Sequence, residues 1–210
     1  MRICFYGGPG CGKSTMASRI FADLKIRNYS IELVHEYIKK WAYMKRVPKS
    51  FDQVYIFAQQ LHSEDLIFQS GVEHIVTDSP LFMQPFYSKT YNFDFWDNLM
   101  LIARKYEEKQ PSLNIFLERA VEYQQNGRYE NADQALDRDQ KMREFLQEQE
   151  VPFVVFKPTD YDNILNYVDL HLSNPDAAAE DQVKKELKKR QPRRKVKPEI
   201  PDYEEECHAL

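Results

Sequence analysis

Short apolar runs alternate along this chain with longer segments in which apolar residues recur every three or four positions. Short bounded runs predict buried strands, and the longer repeats predict amphipathic helices. Their alternation predicts right-handed crossovers and therefore a parallel, doubly wound sheet with helices on both faces. The predicted strands are residues 2–6, 30–34, 74–77, 113–117 and 152–156, and the predicted helices are residues 13–27, 51–69, 95–109, 132–150 and 161–170.

Two of the predicted helices have a periodicity that selects a buried face. Before the helix at residues 51–69, Ser50 and Gln53 form a capping-box signal for a helix start. The face predicted to be buried in this helix consists of Val54, Phe57, Ala58 and Leu61. In the helix at residues 132–150 it consists of Ala135, Leu136, Met142, Phe145 and Leu146.

The composition changes near residue 173, where large apolar residues almost disappear. A basic block at residues 184–197 is followed by the acidic run 204–206. Such a segment cannot bury enough surface to offset the entropy of ordering. We therefore predict one α/β domain at residues 1–172 and a disordered charged tail at residues 173–210.

Overall composition excludes several classes. The 210 residues carry a formal net charge of −4, so bulk charge does not indicate a nucleic-acid partner. The three cysteines, Cys4, Cys11 and Cys207, are too few for a disulfide framework or a zinc site. No signal peptide and no membrane-length apolar run is visible, so we expect a soluble protein in a reducing cytoplasm.

One motif is highly specific. Residues 7–14 match Gly-x-x-x-x-Gly-Lys-Ser in full, with a predicted strand before them and a predicted helix after them. Backbone N–H groups of such a loop converge on the β-phosphate, Lys13 would bridge the β- and γ-phosphates, and Ser14 would ligate magnesium. The expected ligands are ATP and magnesium. The predicted nucleotide-binding residues are Gly7, Gly8, Pro9, Gly10, Cys11, Gly12, Lys13, Ser14 and Thr15.

Other parts of the sequence restrict which class of P-loop protein this chain can be. The guanine-reading Asn-Lys-x-Asp of GTPases does not occur. A motor or AAA-type ATPase usually ends a strand in Asp-Glu, whereas the third predicted strand here is followed by Asp78-Ser79. Without a second carboxylate to activate water, transfer to a positioned hydroxyl is favoured. The sequence therefore favours a kinase.

Two carboxylates follow the second and third predicted strands. Glu36 and Asp78 should stand close together at the carboxyl edge of the sheet, beyond the γ-phosphate. Either could accept the acceptor hydroxyl's proton or hold a magnesium-bound water. We expect Glu36 to contact the acceptor and Asp78 to serve as base or metal ligand. The alternative is that one of them caps a helix or pairs with a lysine.

Cations and aromatic rings alternate at residues 37–49, a composition that suits phosphate contacts combined with base stacking. The alternative is a solvated helix face whose aromatic residues pack on the core. Gln59 and Gln60 could read a pyrimidine edge, although glutamines at such positions are more often surface residues. The aromatic stretch from residue 80 to residue 96 could line an acceptor pocket or fill the core under a long loop.

Three arginines follow the fourth predicted strand, and mobile arginines that close over the γ-phosphate can contribute greatly to phosphoryl transfer. Arg128, in a glycine-containing loop, is the best candidate for contacting the transition state, and Arg119 and Arg138 are next. Arg119 is also predicted to bind the nucleotide. The alternative is that they are solvated loop residues. Residues 157–160 follow the fifth strand, where an adenine ring would rest.

Taken together, residues 1–170 resemble the nucleotide-kinase group of P-loop proteins, which includes thymidylate-kinase-like, nicotinamide-riboside-kinase-like and phage kinases. The resemblance rests on Gly-Gly-Pro-Gly-Cys-Gly-Lys-Ser-Thr, His-Glu-Tyr after strand two, Thr-Asp-Ser-Pro after strand three, and Asn-Gly-Arg-Tyr before the final helices. It implies a three-layer α/β fold with a five-stranded parallel sheet and an arginine-containing lid.

Within this group the sequence is most similar to phage 5-hydroxymethyl-deoxyuridine DNA kinases. That similarity implies ATP as donor, the hydroxymethyl group of a base in DNA as acceptor, and the host cytoplasm as location. One departure from the thymidylate-kinase pattern is Ser79, where an arginine would recognise a monophosphate. A free nucleoside or nucleoside monophosphate remains the alternative acceptor, and a nucleotide-gated binding protein is the alternative of another class.

Overall fold

The computed structural model describes residues 1–49, 51–120 and 131–174, and within them the chain forms five strands and seven helices. The strands are β1 (Arg2–Tyr6), β2 (Ile31–Val34), β3 (His74–Thr77), β4 (Ser112–Leu117) and β5 (Val154–Phe156). The helices are α1 (Lys13–Ile26), α2 (Lys39–Tyr43), α3 (Asp52–Gln69), α4 (Met83–Thr90), α5 (Trp96–Lys109), α6 (Ala132–Glu148) and α7 (Tyr161–Ser173). Residues 175–210, which include most of the predicted tail, lie outside the described residues.

The five strands form one parallel sheet in the order β2-β3-β1-β4-β5. Strand β1 lies at the centre, between β3 and β4. Strands β2 and β3 lie on one side of β1, and β4 and β5 lie on the other. The connections therefore change side at β1, and such sheets bind ligands in the crevice beyond the carboxyl ends of the strands at this point. The predicted α/β class and parallel sheet are confirmed.

Strand β1 is buried on both of its faces. Ile3 and Phe5 pack into the cluster under α1 and α7, whereas Cys4 and Tyr6 pack into the cluster under α4, α5 and α6. A central parallel strand covered on both faces is expected to be apolar throughout. Helices therefore cover both sides of the sheet and leave its two ends for polar chemistry.

A buried ion cluster lies at the amino end of β1. The Arg2 guanidinium donates to Glu64 at 3.2 Å and to the backbone carbonyl of Gln110 at 2.7 Å, and it also pairs with Glu107. Arg2 and Glu64 are both almost completely buried. Burial raises the pKa of the Glu64 carboxyl, and the nearby guanidinium opposes that rise. This cluster is remote in the fold from the carboxyl edge and serves structure.

Two helices, α2 and α4, were not predicted from the sequence. Helix α2 has only five residues, too short for a periodic signal. Helix α4 begins at Met83 and has Pro85 within its first turn, a position where the missing N–H of proline costs little. The proline and the aromatic residues around it made this segment read as a loop.

The predicted buried face of α3 was wrong in part. Phe57 is buried, but Val54 and Ala58 are exposed, and the inward positions include Gln53, Gln60 and Glu64. These polar side chains can face inward because partners on other elements satisfy them, namely Gln84, Thr77 and Arg2. A pattern that counts only apolar residues misses such positions.

Two further details of the helices needed correction. The residue that caps α3 is Phe51, with no side-chain cap, and Ser50 lies outside the described residues. A capping box occurs instead at the start of α6, where Asn131 and Gln134 bond reciprocally. In α6 the predicted buried residues are buried except Leu136, which is exposed. Within the described residues, no helix is long and apolar enough to cross a bilayer.

Candidate active site

The glycine-rich loop joins the carboxyl end of β1 to the start of α1. Gly10 and Gly12 have φ values of 82° and 86°, in the left-handed region that favours glycine. Gly12 is the N-cap of α1, and its carbonyl accepts from the N–H of Met16 at 2.9 Å. The amino end of α1 therefore faces the loop, where unpaired N–H groups and the helix dipole favour an anion.

The Lys13 side chain bends back over this loop. Its ammonium donates to the carbonyl oxygens of Gly7 at 2.7 Å and Gly8 at 2.9 Å. The positive charge is thus held above the turn, next to the amino end of α1. This arrangement places one cation and several backbone N–H donors around one anion-sized position.

An ion pair holds the other side of the loop. One oxygen of Asp139 accepts from the backbone N–H of Gly8 at 2.6 Å and lies 3.1 Å from the Cys11 sulfur. The other oxygen accepts from Arg119 Nε at 2.7 Å, and Arg119 also donates to the Pro9 carbonyl at 2.7 Å. The amino half of α6 is thereby fastened to the phosphate loop.

Cys11 is the most enclosed residue of the loop. It is fully buried, and burial together with the negative charge of Asp139 raises the pKa of its thiol to about 12. The thiol therefore stays protonated at neutral pH. Cys11 acts as a packing residue of the loop.

Glu36 and Asp78 are neighbours at the carboxyl edge, because β2 and β3 are adjacent strands. The backbone N–H of Glu36 donates to Asp78 Oδ1 at 3.0 Å. Asp78 is buried, and Glu36 is half-buried and lines the cavity beside the loop. Their proximity follows the sequence expectation, whereas their separate roles stay predictions.

A cavity of about 440 Å³ opens between the phosphate loop, α2 and α4. The loop residues Lys13, Ser14 and Thr15 form one wall, and Glu36 forms part of another. The remaining lining is Pro9, Gly10, Gly12, Ile38, Lys39, Ala42, Tyr43, Val47, Pro48, Gln53, Gln84, Tyr87 and Tyr91. Ligand sites of small molecules commonly have this size and this mixture of apolar walls and a few polar groups.

Gln53 and Gln84 are the polar residues of this cavity that the sequence analysis missed. Both are buried, Gln53 donates to Gln84, and the amide of Gln84 lies 3.5 Å from the Ser79 hydroxyl. The sequence analysis had singled out Gln59 and Gln60 instead. Gln60 bonds to Thr77 and to the backbone of Tyr37, and neither of these two glutamines is among the described residues that line the cavity.

The aromatic stretch divides between core and cavity. Leu81, Phe82 and Phe86 pack in the hydrophobic core, whereas Tyr87 and Tyr91 line the cavity. Helix α4 presents both faces, because residues one turn apart share a side. The core alternative therefore holds for the first group, and a role of the second group in holding an acceptor stays a prediction.

The cation-rich segment divides in the same way. Trp41 is buried, with the Arg46 guanidinium 3.5 Å from the centre of its ring. Tyr43 is 66% exposed and, with Lys39, forms part of the cavity wall. One aromatic residue therefore packs inward, and the other remains accessible at the cavity mouth.

The three predicted lid arginines have different outcomes. Arg128 lies outside the described residues. Arg119 contacts the phosphate loop through Pro9 and Asp139. Arg138 is mostly buried and lies 5.7 Å from the ring of Tyr91 in the cavity wall. The described pair thus flanks the site, and contact with a phosphate stays a prediction.

The loop after β5 also reaches the phosphate loop. A Cβ atom placed on Gly12 would lie 3.5 Å from Pro158. The loop at residues 157–160 therefore borders the amino end of α1, in keeping with the predicted location of an adenine ring.

Oxygen donors suited to magnesium are present at this edge. The Ser14 side chain borders the cavity, and the Asp78 carboxylate uses only Oδ1 for its bond to the Glu36 N–H within the described chain. Magnesium keeps several waters and takes one or two protein oxygens together with substrate phosphates. The donor set fits this requirement, although no group of three or more His, Cys, Asp or Glu ligands occurs among the described residues.

The arrangement of strands and helices is similar to that of several solved structures, one of which is a kinase. The deoxyadenosine kinase from M. mycoides, determined with the products dCMP and a flexible dCDP bound, has a TM-score of 0.51 and 20% identity, over 82% of this chain and 99% of its own. NadR in complex with NR has a TM-score of 0.60 and 15% identity, over 80% of this chain and 50% of its own. The YorR protein from Bacillus subtilis, in complex with phosphorylated GDP, has a TM-score of 0.52 and 14% identity, over 82% of this chain and 96% of its own.

At these identities the similarities establish the fold alone, which is the P-loop NTPase fold found in nucleoside kinases. A comparison with curated proteins found no match.

A family model described as "AAA domain" matches residues 2–163. The Asp78-Ser79 pair had favoured a kinase over an AAA-type ATPase. The family description is that of AAA domains, so the Asp78-Ser79 pair does not place the chain outside them. The matched residues span the strands, the phosphate loop and both carboxylates. This chain belongs to the AAA_28 family of AAA domains.

Proposed function

We propose that this protein is an ATP-dependent phosphotransferase that moves the γ-phosphate to a hydroxyl group of a nucleotide-type acceptor. The observation that carries the proposal is the shared cavity, in which the phosphate loop and Glu36 line the same space. A donor triphosphate held by the loop would point its last phosphate into this space. An acceptor of nucleoside size would then lie between the γ-phosphate and Glu36.

The residues of the loop would neutralise and position the donor. Lys13 would leave its carbonyl partners Gly7 and Gly8 for the β- and γ-phosphates, while the N–H groups at the start of α1 receive the β-phosphate. Magnesium, held through Ser14 and Asp78, would neutralise charge that develops on the phosphates. Phosphoryl transfer needs little more than this positioning and charge stabilisation.

Glu36 is the better candidate for the group that accepts the hydroxyl proton, because it borders the cavity, whereas Asp78 is buried behind it. The Asp78 carboxylate holds the backbone of Glu36 through the bond at 3.0 Å. Asp78 would therefore fix the position of Glu36 in addition to serving the metal. Arg119, Arg128 and Arg138 are the proposed cationic groups around the transferring phosphate.

For the acceptor, we favour the hydroxymethyl group of 5-hydroxymethyluracil in DNA. Gln53 and Gln84 offer amide groups to the paired donor and acceptor atoms of a pyrimidine. Ser79 supports a base rather than a free monophosphate, because it is buried and brings no cation to the position after Asp78. A free nucleoside or nucleoside monophosphate is the second candidate, favoured by a cavity large enough for an entire nucleoside.

The proposal is tested by offering ATP labelled at the γ-phosphate, with magnesium, to the full chain. The acceptors are hydroxymethyluracil-containing DNA, unmodified DNA, nucleosides and nucleoside monophosphates. We expect label on the modified DNA alone. If label appears only on a free nucleoside or monophosphate, the proposed acceptor is wrong, but the proposal of a kinase stands.

Two matched variants control this assay. Lys13→Met should abolish transfer, whereas Lys25→Met, at an exposed ion pair with Glu32, should leave it unchanged. Equal ADP release with and without every acceptor would overturn the kinase proposal. A nucleotide-gated binding protein would instead lose partner binding in Lys13→Met without ever transferring phosphate.

A further inference from the structure

Large aromatic side chains are exposed on α2 and at the start of α3, two elements that contribute residues to the cavity wall. Tyr43 is 66% exposed, Phe51 70% and Tyr55 47%. Tyr43 belongs to α2 and to the cavity wall, whereas Phe51 and Tyr55 lie one turn apart at the start of α3. We call these three residues the aromatic rim. Three exposed aromatic residues on elements that border one cavity indicate an interaction surface.

A row of rings connects the cavity to this rim. The ring centres of Tyr87 and Tyr91 are 6.3 Å apart, with 16° between their planes, and those of Tyr91 and Phe93 are also 6.3 Å apart. Phe93 stacks on Phe95 at 5.7 Å with 12° between the planes. Phe95 in turn stacks on Phe51 at 5.2 Å and 15°. Tyr87 and Tyr91 line the cavity, so the row starts there and ends at Phe51. Among the described residues, Phe51 stacks on Phe95 alone, and its 70% exposure leaves ring surface accessible. A planar ring added there would extend the row.

Unpaired cations accompany the rim. Lys39, Lys40, Lys45 and Lys49 are exposed, and none of their ammonium groups forms an ion pair within the described residues. The nearby acidic residue Asp52 is already occupied by Arg46 at 3.3 Å and by the backbone N–H of Lys49. In a chain with a formal net charge of −4, this segment is a local positive surface.

We infer that the aromatic rim and its four lysines bind the nucleotides that flank the acceptor in a single-stranded nucleic acid. Stackable ring faces combined with unpaired cations are the features that hold single strands without reading their sequence. The surface is continuous with the cavity through Lys39 and Tyr43, so the strand and the acceptor would belong to one molecule. The inference rests on the proposed function, since the cavity is taken as the acceptor site.

The first test measures binding of an unmodified, fluorescently labelled oligothymidylate by anisotropy, with the full chain and without ATP. Lys45→Asn/Lys49→Gln removes two cations outside the cavity wall, and asparagine tolerates the φ of 54° that Lys45 adopts. The matched control is Lys105→Gln/Lys109→Gln on α5. The basic block at residues 184–197 is present in every variant and contributes equally.

We expect the rim double variant to weaken binding by about tenfold. The slope of log K against log salt should fall in magnitude by about 1.4, because each phosphate contact of a single strand contributes roughly 0.7. The α5 control should bind like the wild type. Phe51→Leu should weaken binding between about fivefold and a hundredfold by loss of stacking, and Phe51→Trp should retain it. Thermal melting of each variant verifies folding.

The second test separates this inference from the proposed function. The rim variants should lose phosphorylation of the polymeric acceptor while retaining ATP affinity and any transfer to a free nucleoside. Oligothymidylate binding that is identical in wild type and rim variants overturns the inference, whatever the kinase assay gives. If the wild type transfers phosphate to no acceptor, the proposed function is overturned. The anisotropy data would still show whether the aromatic rim and its lysines bind the oligonucleotide. The inference would also be overturned if the protein bound phosphatidylserine vesicles or polyglutamate more tightly than the oligonucleotide and lost that binding in the rim variants.

Discussion

Asp139 accepts a hydrogen bond at 2.6 Å from the backbone N–H of Gly8, although the two residues are 131 positions apart. The same carboxylate is paired with Arg119, which in turn bonds to the Pro9 carbonyl. The phosphate loop is thus held from its outer side by a charged pair that is mostly shielded from water. A shielded carboxylate that accepts a charge-assisted bond through one oxygen and a backbone N–H through the other is worth more than a surface ion pair.

Asp139→Ala should loosen the loop. Removing the carboxylate leaves the Gly8 N–H and Arg119 without this partner, so we expect a loss of about 2 kcal/mol in the free energy of unfolding and a KM for ATP raised by about tenfold. Denaturant unfolding and steady-state kinetics measure the two effects. A double-mutant cycle with Arg119→Ala should give a coupling energy of about 1 kcal/mol or more. Lys141→Ala, at the exposed pair with Asp137, is the control, and a KM in Asp139→Ala equal to that of the control would refute the role.

Gly8→Ala should damage the loop for a steric reason. A Cβ atom at Gly8 would lie closer than 3.0 Å to the Asp139 carboxylate and 3.0 Å from the Ala135 carbonyl. We expect ATP affinity, measured by calorimetry, to fall at least tenfold, with partial recovery in Gly8→Ala/Asp139→Ala. Gly71→Ala, where the added atom meets nothing within 4 Å, should cost only about 1 kcal/mol of backbone strain and leave ATP affinity intact. Equal ATP affinity in both single variants would contradict the steric explanation.

Glu36→Gln should act on the chemical step. If Glu36 accepts the hydroxyl proton, kcat should fall by roughly 10²- to 10⁴-fold while ATP affinity stays near the wild-type value. Glu32→Gln, an exposed carboxylate on β2, serves as the control. A variant that retains the wild-type kcat would shift the role to Asp78, tested by Asp78→Asn.

The Cys11 thiol should resist alkylation in the folded protein. Its pKa is raised to about 12 by burial and by Asp139, so almost no thiolate exists at pH 8. Mass spectrometry after iodoacetamide treatment should show modification of Cys11 only after denaturation. Because the folded pKa lies above the unfolded value near 9.0, the stability from the protonated thiol is complete below pH 9 and is lost as the pH rises towards 12. Rapid native labelling of Cys11 at pH 8 would argue against this environment.

Arg2→Met should be among the most destabilising substitutions outside the site. It leaves the buried Glu64 carboxylate without its guanidinium, at a cost of about 3–5 kcal/mol. Replacing both residues, in Arg2→Met/Glu64→Leu, should recover part of this loss, because no buried charge then remains unpaired. Lys25→Met, at an exposed pair, should change stability by less than about 1 kcal/mol. Urea unfolding measures the free energy of unfolding of each variant. If the losses from Arg2→Met and Glu64→Leu simply added in the double variant, the explanation by an unpaired buried charge would be contradicted.

The sequence predicted features that depend on local chemistry. The bounds of β1 and β3 agree with the predicted residues 2–6 and 74–77, because short apolar runs bounded by polar residues have few other structures available. The proximity of Glu36 and Asp78 also followed, since the carboxyl ends of neighbouring parallel strands meet at one edge.

The sequence did not predict which side of α3 faces inward, and it did not predict the glutamines that line the cavity. Gln53, Gln60 and Glu64 face inward only because Gln84, Thr77 and Arg2 meet them from other elements. No local pattern records such partners, since a buried amide and an exposed amide have the same sequence. Propensity is overruled here by long-range hydrogen bonding.

By itself, then, the sequence determined the phosphate loop, the parallel sheet and the edge where chemistry can occur, since glycine spacing and apolar periodicity act within a few residues. Only the tertiary structure decided that Asp139 holds Gly8, that Gln53 and Gln84 line the cavity, and that Phe51 ends a row of stacked rings. Those relationships join residues far apart in the chain. They depend on how helices are placed over the sheet, which the packing of the whole core sets.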